Sequence, residues 1–158
     1  MKIMIASRFV ALVLCTTFLF SAGSFSQEKK IHRSDLPPAV EKTVASLSPN
    51  ATIRGFSQEK EKGVAYYEAQ LLVNGHTKDV LMDGAGAIVE IEEQVAIDSL
   101  PAVVKEGLQS QAGEGKLTKV ESITKRDNLV AYEAQILTGK KRSEVQVGPD
   151  GKPLDHEE

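Results

Sequence analysis

The spacing of apolar residues changes between residues 30 and 95. Leu36, Val40, Val44 and Leu47 recur every three to four positions, the period of a helix with one buried face. Pro37 and Pro38 fall in its first turn, where a missing N–H costs nothing, and Pro49 stops it. Further along the period drops to two. Tyr67, Ala69, Leu71 and Val73 share one face of a strand, and Tyr66, Glu68, Gln70 and Leu72 share the other. Asn74-Gly75, both tolerant of positive φ, predicts a hairpin into a strand with Val80 and Met82 on the core side. Asp83-Gly84-Ala85-Gly86 then turns the chain into a last strand over Ile88 to Glu92, and a less regular strand is expected earlier, over Ile53 to Glu59.

The whole pattern then starts again. Leu100, Val104 and Leu108 predict a second helix behind Asp98-Ser99-Leu100-Pro101; Gly107 weakens it by about 1 kcal/mol relative to alanine, and Gly113 and Gly115 mark its end. An irregular strand over Leu117 to Lys125 follows. Next comes a strand alternating Tyr132, Ala134 and Ile136 with Glu133, Gln135 and Leu137, then a turn at Gly139 and a strand with Val145 and Val147 inward. After Pro149-Asp150-Gly151, the counterpart of the last strand stops at Leu154 and is expected to be short or frayed. Leu36-Pro37 recurs as Leu100-Pro101, and Tyr67-Glu68-Ala69-Gln70 recurs as Tyr132-Glu133-Ala134-Gln135. Two copies of one unit are expected, over 27–95 and 96–158. The fold class is then α+β: two tandem helix-plus-antiparallel-strand repeats with the helices packed on one face of the sheet. Each copy is small and lacks disulfides, so the two are expected to share a core.

Residues 1–26 read as a secretory signal peptide rather than as part of the fold. Lys2 and Arg8 precede an apolar run from Phe9 to Phe20, followed by the small residues Ser21-Ala22-Gly23, with cleavage expected after Gly23 or Ser26. The run is short of the ~20 residues a membrane-spanning helix needs, so no stable membrane insertion is expected after cleavage. Cys15 lies inside the run behind Leu14, where a lipid-attachment site would need a small residue. Without the leader no cysteine remains, which excludes a disulfide framework and thiolate metal sites. Setting Lys2 and Arg8 aside leaves 17 basic against 22 acidic residues. This mildly acidic balance excludes a nucleic-acid-binding class, which needs clustered Lys and Arg. The expected location is periplasmic or secreted.

Catalytic and metal chemistry find little support. His32, His76 and His156 have no ligand spacing, and neither G-x-S-x-G nor S-x-x-K occurs. Glu68 and Glu133 are the one carboxylate pair worth weighing for glycoside chemistry, but their duplicated glutamine neighbours and the lack of aromatic platforms favour scaffold. No catalytic residue, metal ligand or cofactor is therefore assigned. The parity of the strands does assign a face. Tyr66, Glu68, Gln70 and Leu72 project away from the helices, with Leu81 beside them, and in the second copy so do Glu133, Gln135, Leu137, Arg142 and Glu144. These ten residues are the candidate binding face, polar with apolar spots at Tyr66, Leu72, Leu81, Leu129 and Leu137.

The ordered set of motifs resembles the PepSY-like proteins, including the beta-lactamase-inhibitor-like group. It consists of Leu-Pro-x-x-Val opening each helix (Leu36, Pro37, Val40; Leu100, Pro101, Val104), Tyr-Glu-Ala-Gln-Leu on a strand, and Val-x-x-Asp-x-x-Gly at a turn (Val80, Asp83, Gly86). The second copy departs from it at Gly148, which takes the place of the aspartate, with Asp150 two residues on. The resemblance implies an exported non-catalytic module that binds another exported or envelope protein, with inhibition of a peptidase or beta-lactamase as one form of such binding. The alternative is a periplasmic small-ligand or cation sensor using the acidic turns around Glu90 to Glu93 and Asp155 to Glu158.

Overall fold

The structure, a computed structural model, describes residues 28–156 and Glu158; residues 1–27, which include the leader expected over 1–26, and Glu157 lie outside the described residues. The chain runs β1 (Lys29–Ile31), α1 (Pro38–Leu47), β2 (Thr52–Glu61), β3 (Val64–Val73), β4 (His76–Asp83), β5 (Ile88–Val95), α2 (Ala102–Ala112), β6 (Lys116–Lys125), β7 (Asn128–Thr138) and β8 (Lys141–Val147). The fold is α+β, with two helices packed on one eight-stranded antiparallel sheet whose strands follow chain order from β1 to β8. The short strand β1 is the one element the sequence pattern does not signal. Lys29 and Lys30 hide its alternation, and only Ile31 joins the core.

Both helices begin where the prolines allow. Pro37 and Pro101 are the residues flanking the first turn, and Pro38 is the first helical residue of α1. Chain reversal at Asn74-Gly75 uses positive φ at both residues, 53° and 86°, the geometry that suits the twist of the flanking strands. Lys62-Gly63 does the same between β2 and β3, and Arg126-Asp127 between β6 and β7. The counterpart of β5 in the second half is reduced to a single bridge between Val147 and Pro153, as the truncated pattern predicts.

The apolar interior forms two clusters rather than one. Under α1, Leu36, Val40 and Val44 meet Phe56, Ala69, Leu71, Val80 and Met82. Under α2, Leu100, Val104 and Leu108 meet Val120, Ala134 and Val147. The expected common core is thus corrected, and the reason is width. Eight strands at ~4.8 Å spacing span about 34 Å, whereas a helix with its side chains is only ~10 Å across. Each helix covers its own stretch of sheet. The two stretches are tied by the ladder between β5 and β6, and Val95 at the end of β5 packs into the α2 cluster.

Tyr67 and Tyr132 lie on the helix side, each packed against its own cluster, and Tyr67 accepts a hydrogen bond from Gln58 Nε2 at 3.1 Å. The aromatic half of the repeated tetrapeptide is scaffold.

Candidate binding face

Hairpin register decides which side chains stand together on the side away from the helices. Glu68 is opposite Ser57 on one side and Leu81 on the other; Gln70 is opposite Gly55 and Asp79; Tyr66 is opposite Glu59 and Asp83; Leu72 is opposite Thr52 and Thr77. In the second half Glu133 faces Glu121 and Gln146, Gln135 faces Lys119 and Glu144, and Leu137 faces Lys116 and Arg142. All ten predicted residues share the one face. They do not form one pocket.

Glu68 and Leu81 line a hollow of about 140 Å³ together with Glu59, Asp79, Glu90 and Glu92. Gln135, Leu137, Arg142 and Glu144 line a separate groove of about 520 Å³ with Thr118, Lys119, Ile136 and Ser143. Glu133 lies between them, accepting a 2.8 Å hydrogen bond from Gln146 Nε2. The face is therefore polarised: carboxylates crowd the hollow, while Lys119 and Arg142 stand at the far groove.

The hollow holds its charge with difficulty. Burial pushes the Glu68 carboxyl up to about 7, with Asp79, Glu28 and Glu59 adding repulsion against the opposing hydrogen bond from Gln70 Nε2 at 2.8 Å. Burial likewise raises Glu92 to about 8, helped by Glu90, Glu121, Glu133 and Asp79, and raises Asp79. Glu121, 6% exposed, is held by Lys119 Nζ at 2.6 Å and by the Thr77 hydroxyl at 3.2 Å, which reaches it across β5.

Strand parity places Glu68 and Leu81 here and, carried through the Asn74-Gly75 turn, Asp79 as well, but does not assign Glu59, Glu90 and Glu92. Once Asn74-Gly75 fixes the turn, Gln70 must face Asp79 and Glu68 must face Leu81. Glu90 and Glu92 were hidden by an irregularity between β4 and β5, where the register shifts at Leu81 and Met82. A bulge also corrects Leu129. The shift between Ile123 and Thr124 sets Leu129 opposite Thr124, which pairs with the helix-side Ile91, so Leu129 leaves the open face.

The aspartates of the turns after β4 and β8 have structural work. Asp83 Oδ1 accepts the backbone N–H groups of Ala85 and Ala87 at 2.9 and 3.0 Å, and Asp150 Oδ1 accepts that of Lys152 at 3.1 Å. His32, His76 and His156 stand beside β1, at the start of β4 and after β8, and among the described residues no group of three or more His, Cys, Asp or Glu side chains is arranged to hold a metal ion. No described helix is long and apolar enough to cross a membrane.

No family model matches the sequence, and no curated protein sequence matches it. Solved structures do match the fold. A protein of suggested periplasmic location from Bacteroides eggerthii superposes with a TM-score of 0.61 at 19% identity, covering 75% of this chain and 86% of its own. A DUF2874 family protein from Bacteroides ovatus gives a TM-score of 0.59 at 21% identity, covering 76% and 85%. A BLIP-like protein from Bacteroides fragilis gives 0.54 at 23% identity, covering 73% and 81%. The chain thus has the fold of these Bacteroides proteins.

Proposed function

We propose that this chain is an exported, non-catalytic binding module of the PepSY-like kind, built from repeats over 27–95 and 96–158, that engages another exported or envelope protein through the open sheet face. The observation that carries the reading is the state of Glu68, Asp79 and Glu92. Burial in a hollow on the side away from the helices raises all three carboxyls, Glu68 to about 7 and Glu92 to about 8, and perturbed groups of this kind gather at functional sites. A cationic side chain entering the hollow relieves that repulsion, and Tyr66, Leu72 and Leu81 around it supply the apolar anchors. Periplasmic location agrees with the leader pattern of residues 1–26 and with the suggested location of the Bacteroides eggerthii protein. Inhibition of a peptidase or beta-lactamase is the form of binding that the motif resemblance favours.

Capture from the host's envelope and secreted fractions tests the reading, using the wild-type chain beside a Tyr66→Ser, Leu72→Ser variant. A partner retained by the first and lost by the second supports the open face. A partner retained equally by both contradicts it.

A further inference from the structure

A sheet ordered from β1 to β8 has two outer edges, and this chain treats them differently. At one, β1 is three residues long and carries Lys29 and Lys30, a short, charged strand of the kind that discourages pairing with another chain. At the other, β8 runs seven residues against β7 without a bulge or a proline. Only its end is covered: Val147 bridges Pro153, and the Gly148 N–H donates to the Lys152 carbonyl at 2.8 Å. No described strand pairs with the outer side of Lys141 to Val145, and Lys141 to Glu144 are exposed. Backbone N–H groups along a strand alternate between its two sides, so the outward Gly148 N–H sets those of Arg142 and Glu144 outward as well.

The charges of this stretch are complementary to themselves in one register. When two copies of a strand pair antiparallel, opposite residues share a face of the sheet, so the two-fold axis between them passes through a residue. An axis through Lys141, Arg142 or Glu144 would set like charges directly opposite, which destabilises a strand pair. One through Val145 would need Val147, which Pro153 already engages. One through Ser143 sets Arg142 of each copy opposite Glu144 of the other, and Lys141 opposite Val145. Arg142 and Glu144 both stand at the margin of the open face, opposite Leu137 and Gln135. Across the axis their four charges alternate in sign. Neither side chain has an ion pair or hydrogen bond among the described residues. With the N–H groups of Arg142 and Glu144 making the bonds, Ser143 falls at the closer, unbonded kind of pair, where a small side chain fits. We propose that β8 is a dimerisation edge, joining two copies of this chain antiparallel through Lys141 to Val145 with the axis at Ser143.

Main-chain bonds contribute the affinity in such a pairing, and the Arg142 and Glu144 pairs select the register. The same charges discourage pairing with unrelated strands. Because the axis stands perpendicular to the sheet, the helices of both copies lie on one side and both open faces on the other. Two acidic hollows then share one continuous surface, and a partner offering two basic anchors gains from engaging both; that consequence rests on the docking reading.

The dimer is tested on the isolated chain, so its failure leaves the docking reading standing, and failure to capture a partner leaves the dimer standing. Sedimentation equilibrium at low salt should show a reversible monomer–dimer equilibrium. Arg142→Glu or Glu144→Arg alone should weaken it about tenfold or more, and the two together should return it to within about threefold of the wild type. Cysteine placement reads the register. Ser143→Cys should form an intermolecular disulfide under mild oxidation, because the axis brings the two sulfurs together. Lys141→Cys and Val145→Cys should not, since each then lies about 13 Å along the strand from its own equivalent. The wild-type chain, whose one cysteine is Cys15 in the expected leader, is the blank. A wild type that stays monomeric at its highest soluble concentration overturns the proposal. So does a double reversal as weak as the single ones, or a disulfide that forms as readily at 141 or 145 as at 143.

Discussion

Replacing Gly107 with alanine sets two effects of opposite sign against each other, and the structure decides between them. By helix propensity alone the change should stabilise α2 by about 1 kcal/mol, because glycine inside a helix loses more backbone freedom than alanine. Gly107, however, packs backbone to backbone against the turn at Gly151. A Cβ there would lie inside the contact distance of the Gly151 carbonyl oxygen, 2.8 Å from its carbon and 3.1 Å from its Cα. The obstacle is a turn fixed by the Gly151 N–H to Gly148 carbonyl and Gly148 N–H to Lys152 carbonyl bonds, not the far end of a flexible side chain. Gly151 has φ 78° and its own missing Cβ faces Val103, so neither side can yield cheaply. Overpacking of this kind costs about 1–3 kcal/mol, and with backbone as the obstacle the upper end applies. The net expectation for Gly107→Ala is a loss of about 1–2 kcal/mol, a fall in Tm of roughly 3–8 °C for a domain of this size. Ser110→Ala, on the exposed side of the same helix, isolates propensity and should stabilise by a few tenths of a kcal/mol, about half a kcal/mol at most. Circular dichroism with heat and urea measures both. A rise in Tm for Gly107→Ala matching or exceeding that of Ser110→Ala refutes the close approach of turn and helix.

Four further outcomes are expected. Tyr67→Ser should destabilise by about 3 kcal/mol through lost packing under α1, whereas Tyr66→Ser with Leu72→Ser should stay within about 1 kcal/mol of the wild type in the same melts. Glu68 and Glu92 bind protons more tightly folded, at about 7 and about 8, than at their ordinary 4.5. The fold therefore holds more protons than the unfolded chain in that window, and stability should fall as pH rises through it; Glu68→Gln with Glu92→Gln should flatten the slope seen in urea midpoints. Severing the chain between Val95 and Ala96 should leave two poorly folded halves, since Val95 packs into the α2 cluster and β5 pairs with β6; cooperative melting of either half alone would count against this. Mass analysis of exported protein should find a start at Ser24 or Gln27, and intact Met1 on membrane-bound material would oppose it.

Alternation made most of the sheet legible before any coordinates. Two-residue turns such as Asn74-Gly75 fix register by themselves, so the inward set Tyr67, Ala69, Val80 and Met82 and the outward set Glu68, Gln70 and Leu81 follow from counting along the chain. Bulges are where counting fails. One extra residue at Val89 or Val130 leaves no mark in composition, yet it brings Glu90 into the hollow and takes Leu129 off the face. Glycine at 107 was legible only as a weak helix residue, because its reason lies in a turn 44 positions away. In the first half Thr43 takes the matching position and donates its hydroxyl to the Gly86 carbonyl at 2.7 Å, so both helices are pinned to an equivalent turn by different chemistry.

Site-specific photo-crosslinking in the exporting host tests the binding face most directly. A photoreactive phenylalanine analogue at Leu81, beside the hollow, is compared with one at Val103, an exposed position on α2 that is 52% accessible. The account predicts one discrete crosslinked species from Leu81, abolished by Tyr66→Ser with Leu72→Ser, and none from Val103. The same species from Val103, undiminished by those substitutions, would place the partner on the helices and contradict it.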